Sequence, residues 1–127
     1  MRSALRVLAS LNALFQVAVG LLCIFTPIAA AKVFQLGQIG PSVYALTRMF
    51  GGLIFGSGLL SALVARDPDR NPDLPLLLVI SCVANVGADA MVVANGEMLF
   101  GQVAVGVFLQ VVVVGVAVAY LAARKKA

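Results

Sequence analysis

The chain has 127 residues, 62% of them hydrophobic and 11% charged, and its mean hydropathy is +1.08. A soluble domain needs more ionic surface than this, and the short connecting segments leave room for one domain only. The formal net charge of +4 does not indicate nucleic-acid binding, because the cations lie at the chain ends and beside predicted helix ends.

Four apolar stretches are each long enough to cross a lipid bilayer. They cover residues 5–25, 41–65, 74–95 and 99–123. About 20 apolar residues, each rising about 1.5 Å, match the roughly 30 Å of the hydrocarbon core. The sequence therefore predicts an all-α integral membrane protein, a single domain over residues 1–127 that folds as an antiparallel four-helix bundle.

The first span resembles the core of a secretory signal, since Arg2 and Arg6 precede it and alanines follow it. Its apolar run is longer than a typical signal core, so we expect the chain to retain it. Thr26 and Pro27 then predict a helix start with a capping residue. Residues 28–36 predict a short amphipathic helix along the outer membrane interface, directly after the first span.

The later connections have the composition of turns. Residues 66–73 combine two prolines with alternating charges, which predicts a solvated turn, and Asp73 is expected to cap the third span. Residues 95–97, with the sequence Asn-Gly-Glu, predict a tight turn that makes the last two spans a helical hairpin.

The distribution of Lys and Arg predicts the orientation, because positive charge beside a span is retained on the cytoplasmic side. Cations lie before the first span, between the second and third, and after the fourth: Arg2, Arg6, Arg66, Arg70, Arg124, Lys125 and Lys126. The opposite side has Lys32, together with Glu97. Both termini and the middle connection are therefore expected in the cytoplasm.

The sequence offers little for catalysis. Cys23 and Cys82 lie at different depths, about 15 Å apart by helical rise, which is beyond disulfide reach. The chain has no CxxC pair and no histidine, which disfavours thiol-redox, haem and transition-metal chemistry. We expect no enzyme activity, no cofactor and no metal site.

Small residues concentrate in the second span, where Gly51, Gly52, Gly56 and Gly58 include one GxxxG spacing. In lipid, close backbone approach through small residues supplies the contact between helices. These glycines predict tight packing, either within the bundle or against a partner helix. The fourth span is apolar nearly all round and suits lipid or a partner helix equally.

Two charges fall well inside predicted spans, away from the span ends, where each costs several kcal/mol unless it is paired or reaches water. Arg48 and Asp89 lie at matching depths, about 10 Å from the outer ends of the second and third spans. We therefore predict an Arg48–Asp89 ion pair inside the bundle. Tyr44 and Asn85, each four residues earlier, share the helix faces of these charges.

Further polar residues extend this pair into a seam. The other members are Ser81 on the third span, Asn12 and Gln16 on the first, and Gln110 on the fourth. One interpretation is that these groups hydrogen-bond one another and fix helix register. A second is that the seam lines an outward-opening cavity for a polar head group, a quinone or an ion. A third is a site completed by another subunit.

The segment 44–52, Tyr-Ala-Leu-Thr-Arg-Met-Phe-Gly-Gly, with further glycines after it and Thr26-Pro27 at the end of the first span, resembles the DoxX-like superfamily. These are small bacterial four-helix inner-membrane proteins, and the resemblance covers essentially the whole chain. It implies a multi-pass protein of the bacterial inner membrane. Some relatives are membrane subunits of quinone-linked redox complexes. Among functional residues, the resemblance carries over only the segment around Arg48.

The leading hypothesis is a non-catalytic accessory or scaffold subunit that packs against a larger membrane complex, with quinone-linked redox complexes as the class that the resemblance implies. Its expected partners are membrane lipids and other membrane subunits or a second copy. The alternative is a small transporter or a lipid- or quinone-binding protein that uses the seam around Arg48 and Asp89. Small multidrug transporters are similar in length and span number, but they depend on a first-helix glutamate that this chain lacks.

Overall fold

The computed structural model describes residues 1–34 and 40–125, and over those ranges the chain is helical and contains no strand. The helices are α1 (Arg2–Phe25), α2 (Pro27–Val33), α3 (Pro41–Arg66), α4 (Asp73–Ala94) and α5 (Phe100–Lys125). The predicted all-α class is confirmed. Each predicted span boundary lies within three residues of the observed helix end.

The four long helices α1, α3, α4 and α5 are long and apolar enough to cross a membrane. In the most apolar part of each, the buried share is only 33%, 28%, 11% and 22%, respectively. Most of their apolar side chains therefore lie on the outside, which is unfavourable in water and favourable in hydrocarbon. This is the architecture of a multi-pass membrane protein.

Helix α2 lies where a short helix is expected after the first span. It begins at Pro27, whose fixed φ and missing N–H suit a first helical turn. The predicted capping bond from Thr26 is not made; the Thr26 hydroxyl is turned toward α1, where it donates at 2.9 Å to the carbonyl oxygen of Leu22. The last two residues of the predicted segment 28–36 lie outside the described residues.

The start of α4 differs from the predicted cap. Asp73 is the first helical residue rather than the residue before the helix. The Oδ1 atom of Asn71 accepts the Asp73 N–H at 2.9 Å, so Asn71 satisfies one of the free N–H groups at this helix end.

The turn after α4 is built around Gly96, which has a φ of 73°. The N–H of Gly96 donates to the carbonyl of Val93 at 3.0 Å, and the N–H of Glu97 donates to that of Val92, also at 3.0 Å. This pair of bonds is a Schellman motif, which favours glycine at the left-handed position. The predicted tight turn at 95–97 is confirmed.

Each long helix has two or more neighbours. Helix α1 makes its most extensive contact with α3, and α4 makes its most extensive contact with α5. Smaller contacts join α1 to α5 and α3 to α4. The apolar core draws on all four long helices: Leu5, Ala9, Val64, Leu78, Cys82, Val113, Ala117 and Tyr120.

Glycines allow α1 and α3 to approach closely. A Cβ on Gly20 would lie 2.8 Å from a backbone nitrogen of α3, and a Cβ on Gly51 would lie 2.6 Å from Cys23 Cβ. A Cβ on Gly58 would lie 3.0 Å from a backbone nitrogen of α1. Because each added Cβ would lie 3.0 Å or less from a backbone or Cβ atom of the other helix, a larger residue would force the two helices apart.

Gly52 and Gly56, the GxxxG pair, lie outside this contact. Both are exposed, and a Cβ on either would meet no atom of another described part of the chain within 4 Å. The four predicted packing glycines therefore divide: Gly51 and Gly58 hold α1, whereas Gly52 and Gly56 face away from the protein.

One end of the molecule brings together the start of α1, the connection between α3 and α4, and the end of α5. Arg2 forms ion pairs with Asp67 at 3.3 Å and with Asp69 at 3.0 Å, and the Tyr120 hydroxyl donates to Asp69. Arg6 Nε also donates to a backbone carbonyl of α3 at 2.9 Å. The connection between α3 and α4 was predicted as a solvated turn. Its aspartates also bond side chains of α1 and α5, so it links these helices.

Candidate functional site

Asn12 is the centre of the polar seam. It lies on α1 and is completely buried. Its Nδ2 donates to Ser61 Oγ on α3 at 2.9 Å and approaches Cys82 Sγ on α4 at 3.9 Å. One buried amide therefore joins three membrane-spanning helices.

The seam continues between α3 and α4. The hydroxyls of Ser57 and Ser81 are 2.6 Å apart, and Asn85 Nδ2 donates to Ser57 Oγ at 3.4 Å. Ser61 Oγ donates to the Ser57 carbonyl at 3.0 Å within α3. Asn12, Ser81 and Asn85 therefore lie together as the sequence analysis predicted.

Ser57 and Ser61 on α3 complete the seam, although neither was among the seam residues predicted from the sequence. Their spacing of four residues places both hydroxyls on one face of α3, which is a signal that the sequence contains. That signal identifies the face, but the neighbour on that face is known only once α3 is packed.

Three buried amide oxygens of the seam have no hydrogen-bond partner in the described part of the chain. They are Asn12 Oδ1, Gln16 Oε1 and Gln110 Oε1. Gln16 is 2% exposed and Gln110 is 6% exposed. An unpaired buried acceptor costs about 1–3 kcal/mol, so each of these oxygens would gain from a hydrogen-bond donor such as water or a bound hydroxyl.

Gln110 lies in the contact between α5 and α1. A Cβ on Gly106, one turn before Gln110, would lie 3.4 Å from Phe15 Cε1 and 4.0 Å from Gln110 Nε2. Phe15 immediately precedes Gln16 on α1, so the register places Gln16 and Gln110 at similar depth. Both predicted seam residues therefore lie on helices that contact each other.

The predicted Arg48–Asp89 ion pair is not formed. The ion pairs of the described residues are those that Arg2 makes with Asp67 and Asp69, whereas Arg48 is exposed and Asp89 is half-buried. The reason is the direction in which Arg48 faces around the axis of α3. Arg48 lies nine residues before Ser57, and at 3.6 residues per turn this is about two and a half turns, which places the two on opposite sides of α3.

Because Ser57 faces Ser81 and Asn85 on α4, Arg48 faces away from α4. Asp89 lies one turn beyond Asn85, on the seam side of α4. The similar depth predicted from the helical rise does not bring the two side chains together, because they lie on sides of the bundle that do not meet. By helical spacing, Asp89 therefore lies on the side of α4 that carries the seam, whereas Arg48 lies on the side of α3 away from it.

Arg48 and Tyr44 instead line an open cavity of about 460 Å³ beside α2, here called the α2 pocket. Its lining consists of Phe25, Thr26, Pro27, Ile28, Ala29, Lys32, Tyr44 and Arg48. The predicted proximity of Tyr44 to Arg48 agrees with this lining. Lys32 brings a second cation, which the sequence analysis placed on the same side of the membrane but did not connect with Arg48.

At the end of the molecule that contains α2, the Gln102 side chain makes two hydrogen bonds. Gln102 Nε2 donates to the carbonyl of Phe34 at 2.7 Å, and Gln102 Oε1 accepts the N–H of Leu99, also at 2.7 Å. This side chain holds the start of α5 against the end of the α2 segment. Sequence reasoning did not predict a role for it.

A separate groove of about 490 Å³ runs between α1 and α3. It is lined by Ser10, Ala13, Leu14, Val17, Ala62, Ala65 and Arg66. The lining is mainly apolar and contains no residue of the polar seam. The groove therefore presents apolar surface rather than a cluster of polar groups.

Comparison of the chain with protein families, with curated proteins and with solved structures gives no match. The DoxX-like resemblance thus rests on the residues of the sequence and stays a prediction. The function proposed for the chain accordingly follows from its own residues and their geometry.

Proposed function

We propose that the protein is a non-catalytic accessory or scaffold subunit that packs against a larger complex in the bacterial inner membrane. In this proposal the four spans form an antiparallel bundle, both termini face the cytoplasm, and α2 lies along the outer interface. The cations beside the termini and the middle connection support the orientation. The contacts that join Arg2 and Tyr120 to Asp69 support the antiparallel order.

The observation that carries the proposal is the open GxxxG pair of α3. Gly52 and Gly56 lie about one turn apart and are both exposed, with no atom within 4 Å of an added Cβ. Their apolar neighbours Leu53 and Leu59 are 75% and 48% exposed. In hydrocarbon, a shallow strip of glycines between larger side chains admits a second helix at short distance.

Helix α3 already uses glycine for close packing on its adjacent face. Gly51 and Gly58 hold α1 there at distances that exclude any larger side chain. The helix therefore has two glycine faces, of which α1 occupies one and no described residue occupies the other. A partner helix on the open face would pack by the same physical means.

The test is purification of the full chain from its own membrane in a gentle detergent, followed by native mass spectrometry. We expect a stoichiometric complex for the wild-type protein and loss of the partner in the double variant Gly52→Ile, Gly56→Ile. Gly115→Ile is the matched control, because Gly115 on α5 is also exposed with an open Cβ position but has no glycine four residues away.

The mass of the complex identifies its type. A heteromeric mass supports the scaffold role, whereas a mass of two or more copies of the chain replaces that role with self-association. Recovery of a free monomer, under conditions that keep other membrane complexes intact, contradicts the proposal. Because of the DoxX-like resemblance, quinone-linked redox complexes are the partners to examine first.

A small transporter or a lipid or quinone carrier is the second candidate. The unpaired buried oxygens of Gln16 and Gln110 favour it, because they can accept hydrogen bonds from a solute inside the bundle. Mass spectrometry of small molecules extracted from the purified protein tests this function. A solute retained by the wild-type chain and lost from Gln110→Met supports the carrier function, and equal extracts from both contradict it.

A further inference from the structure

The α2 pocket brings two cations together at the end of the molecule that has few charges. Lys32 comes from α2 and Arg48 from α3, and both are exposed. Neither forms an ion pair with a described residue. The pocket therefore has an uncompensated positive charge.

The depth of Arg48 makes this charge unusual. It lies seven residues after Pro41, the first residue of α3, which corresponds to about 10 Å along the helix axis. At that depth the backbone of Arg48 lies inside the hydrocarbon, and only its long side chain can reach the head groups. A guanidinium there gains by extending toward the interface and by meeting an anion.

The rest of the lining is suited to an amphiphile. Phe25 and Ile28 also line the pocket, and because they are 74% and 52% exposed they give it accessible apolar surface. Tyr44 adds a hydroxyl group that can donate to phosphate or glycerol oxygens, whereas the Thr26 hydroxyl already donates to the Leu22 carbonyl and can only accept. A soluble anion would use the cations but not the apolar rim.

We propose that the α2 pocket binds the phosphate head group of an anionic phospholipid, with Lys32 and Arg48 contacting the phosphate and Phe25 and Ile28 contacting the acyl region. Arginine binds phosphate oxygens through paired N–H groups, and lysine contributes a point charge. This site goes beyond the scaffold function and does not depend on it. It stands whether or not the open face of α3 holds a partner.

The experiment uses the full chain in nanodiscs that contain either phosphatidylcholine alone or phosphatidylcholine mixed with phosphatidylglycerol. Native mass spectrometry measures how strongly each lipid is retained. Arg48→Gln and Lys32→Gln each remove one charge from the pocket, whereas Arg70→Gln removes one charge at the other end of the bundle. Arg48→Lys retains the charge.

We expect the wild-type protein to retain phosphatidylglycerol in preference to phosphatidylcholine. Each neutralising pocket variant should lower that preference about fivefold, which is the effect of one interfacial cation. Arg48→Lys should recover most of it, and Arg70→Gln should match the wild type. Unchanged helical circular dichroism shows that the variants are folded.

Three results would overturn the site. One is equal retention of the two lipids by the wild-type protein. Another is the same loss in Arg70→Gln as in Arg48→Gln, which reduces the effect to net charge. The third is displacement of the lipid by inorganic phosphate at comparable concentration, which would make a soluble phosphate rather than a lipid the ligand.

Discussion

Asn12 on α1 donates its amide hydrogen to Ser61 on α3 at 2.9 Å, in a position with no exposed surface. The same amide approaches Cys82 of α4, so one side chain fixes the register of three helices. In lipid, hydrogen bonds of this kind replace the hydrophobic force that would align helices in water. The interpretation of the seam as a register device is therefore supported for Asn12.

Replacement of Asn12 by Ala should lower the free energy of unfolding by about 1 kcal/mol, since interhelical hydrogen bonds in membranes contribute about that amount. The cost stays moderate because Ser61 keeps its own bond to the Ser57 carbonyl. Denaturing-detergent titration in mixed micelles measures the change. Ser10→Ala is the control, because Ser10 bonds only to its own helix and is exposed. Equal effects of the two substitutions would contradict a special role for Asn12.

Substitution by valine should destabilise the protein at one of two adjacent glycines of α3 and leave its stability unchanged at the other. Gly51→Val places bulk where a Cβ alone would lie 2.6 Å from Cys23 Cβ, so α1 and α3 must separate. Overpacking of this kind costs about 1–3 kcal/mol. Gly52→Val meets open space and should leave the unfolding free energy of the isolated chain within about 0.5 kcal/mol of the wild type. A similar loss in both variants would show that the α1–α3 contact is placed incorrectly.

The positions of the membrane-spanning helices could be predicted closely from the sequence, because they depend on features that lie next to one another along the chain. Apolar run length, the prolines at 27 and 41, and the turn around Gly96 each act locally. Depth along a helix is equally local, since it follows from the rise per residue. For this reason the similar depths of Gln16 and Gln110 were predictable.

The direction in which each residue faces was not predictable, because it depends on which helices become neighbours. Arg48 and Asp89 match in depth, yet α3 turns Ser57 rather than Arg48 toward α4. In the same way, the spacing of Gly52 and Gly56 gave no indication that Gly51 and Gly58 would hold α1 instead. Helix rotation is set by packing, which a single sequence reports only weakly.

Gly96 should resist substitution because of its backbone conformation. Its φ of 73° lies in the left-handed region, where a Cβ costs about 1 kcal/mol or more. Gly96→Ala is therefore expected to lower the unfolding free energy by about 1 kcal/mol.

Gly87→Ala serves as the control, since Gly87 is within α4 and an added Cβ meets no atom of another described part of the chain within 4 Å. That variant should be neutral or slightly stabilising, because alanine favours helix more than glycine does. Equal losses would contradict the turn geometry.

The ion pairs of Arg2 should contribute little and should depend on salt. The Arg2 side chain is 56% exposed, and its partners Asp67 and Asp69 are 45% and 40% exposed. Exposed pairs contribute at most about 1 kcal/mol, and at about 1 M salt the screening length falls to about 3 Å. Arg2→Gln should therefore cost less than about 1 kcal/mol at low salt and nothing measurable at high salt. Arg70→Gln, which removes an exposed cation without a described ion pair, should show neither effect. A large loss that persists in high salt would indicate a buried role for Arg2.

Arg48 and Asp89 provide the sharpest test of helix rotation. If α3 and α4 pack as described, the guanidinium and the carboxylate do not interact, and their substitutions act independently. We expect the effects of Arg48→Gln and Asp89→Asn on the unfolding free energy to add, with a coupling below about 0.5 kcal/mol in a double-mutant cycle. A buried ion pair would behave differently, because removing one partner leaves the other charge uncompensated at a cost of about 3–5 kcal/mol. That cost would appear in both single variants and would largely disappear in the double variant. A coupling above about 2 kcal/mol would therefore restore the ion pair and would require α3 to be turned by about half a turn from its position here.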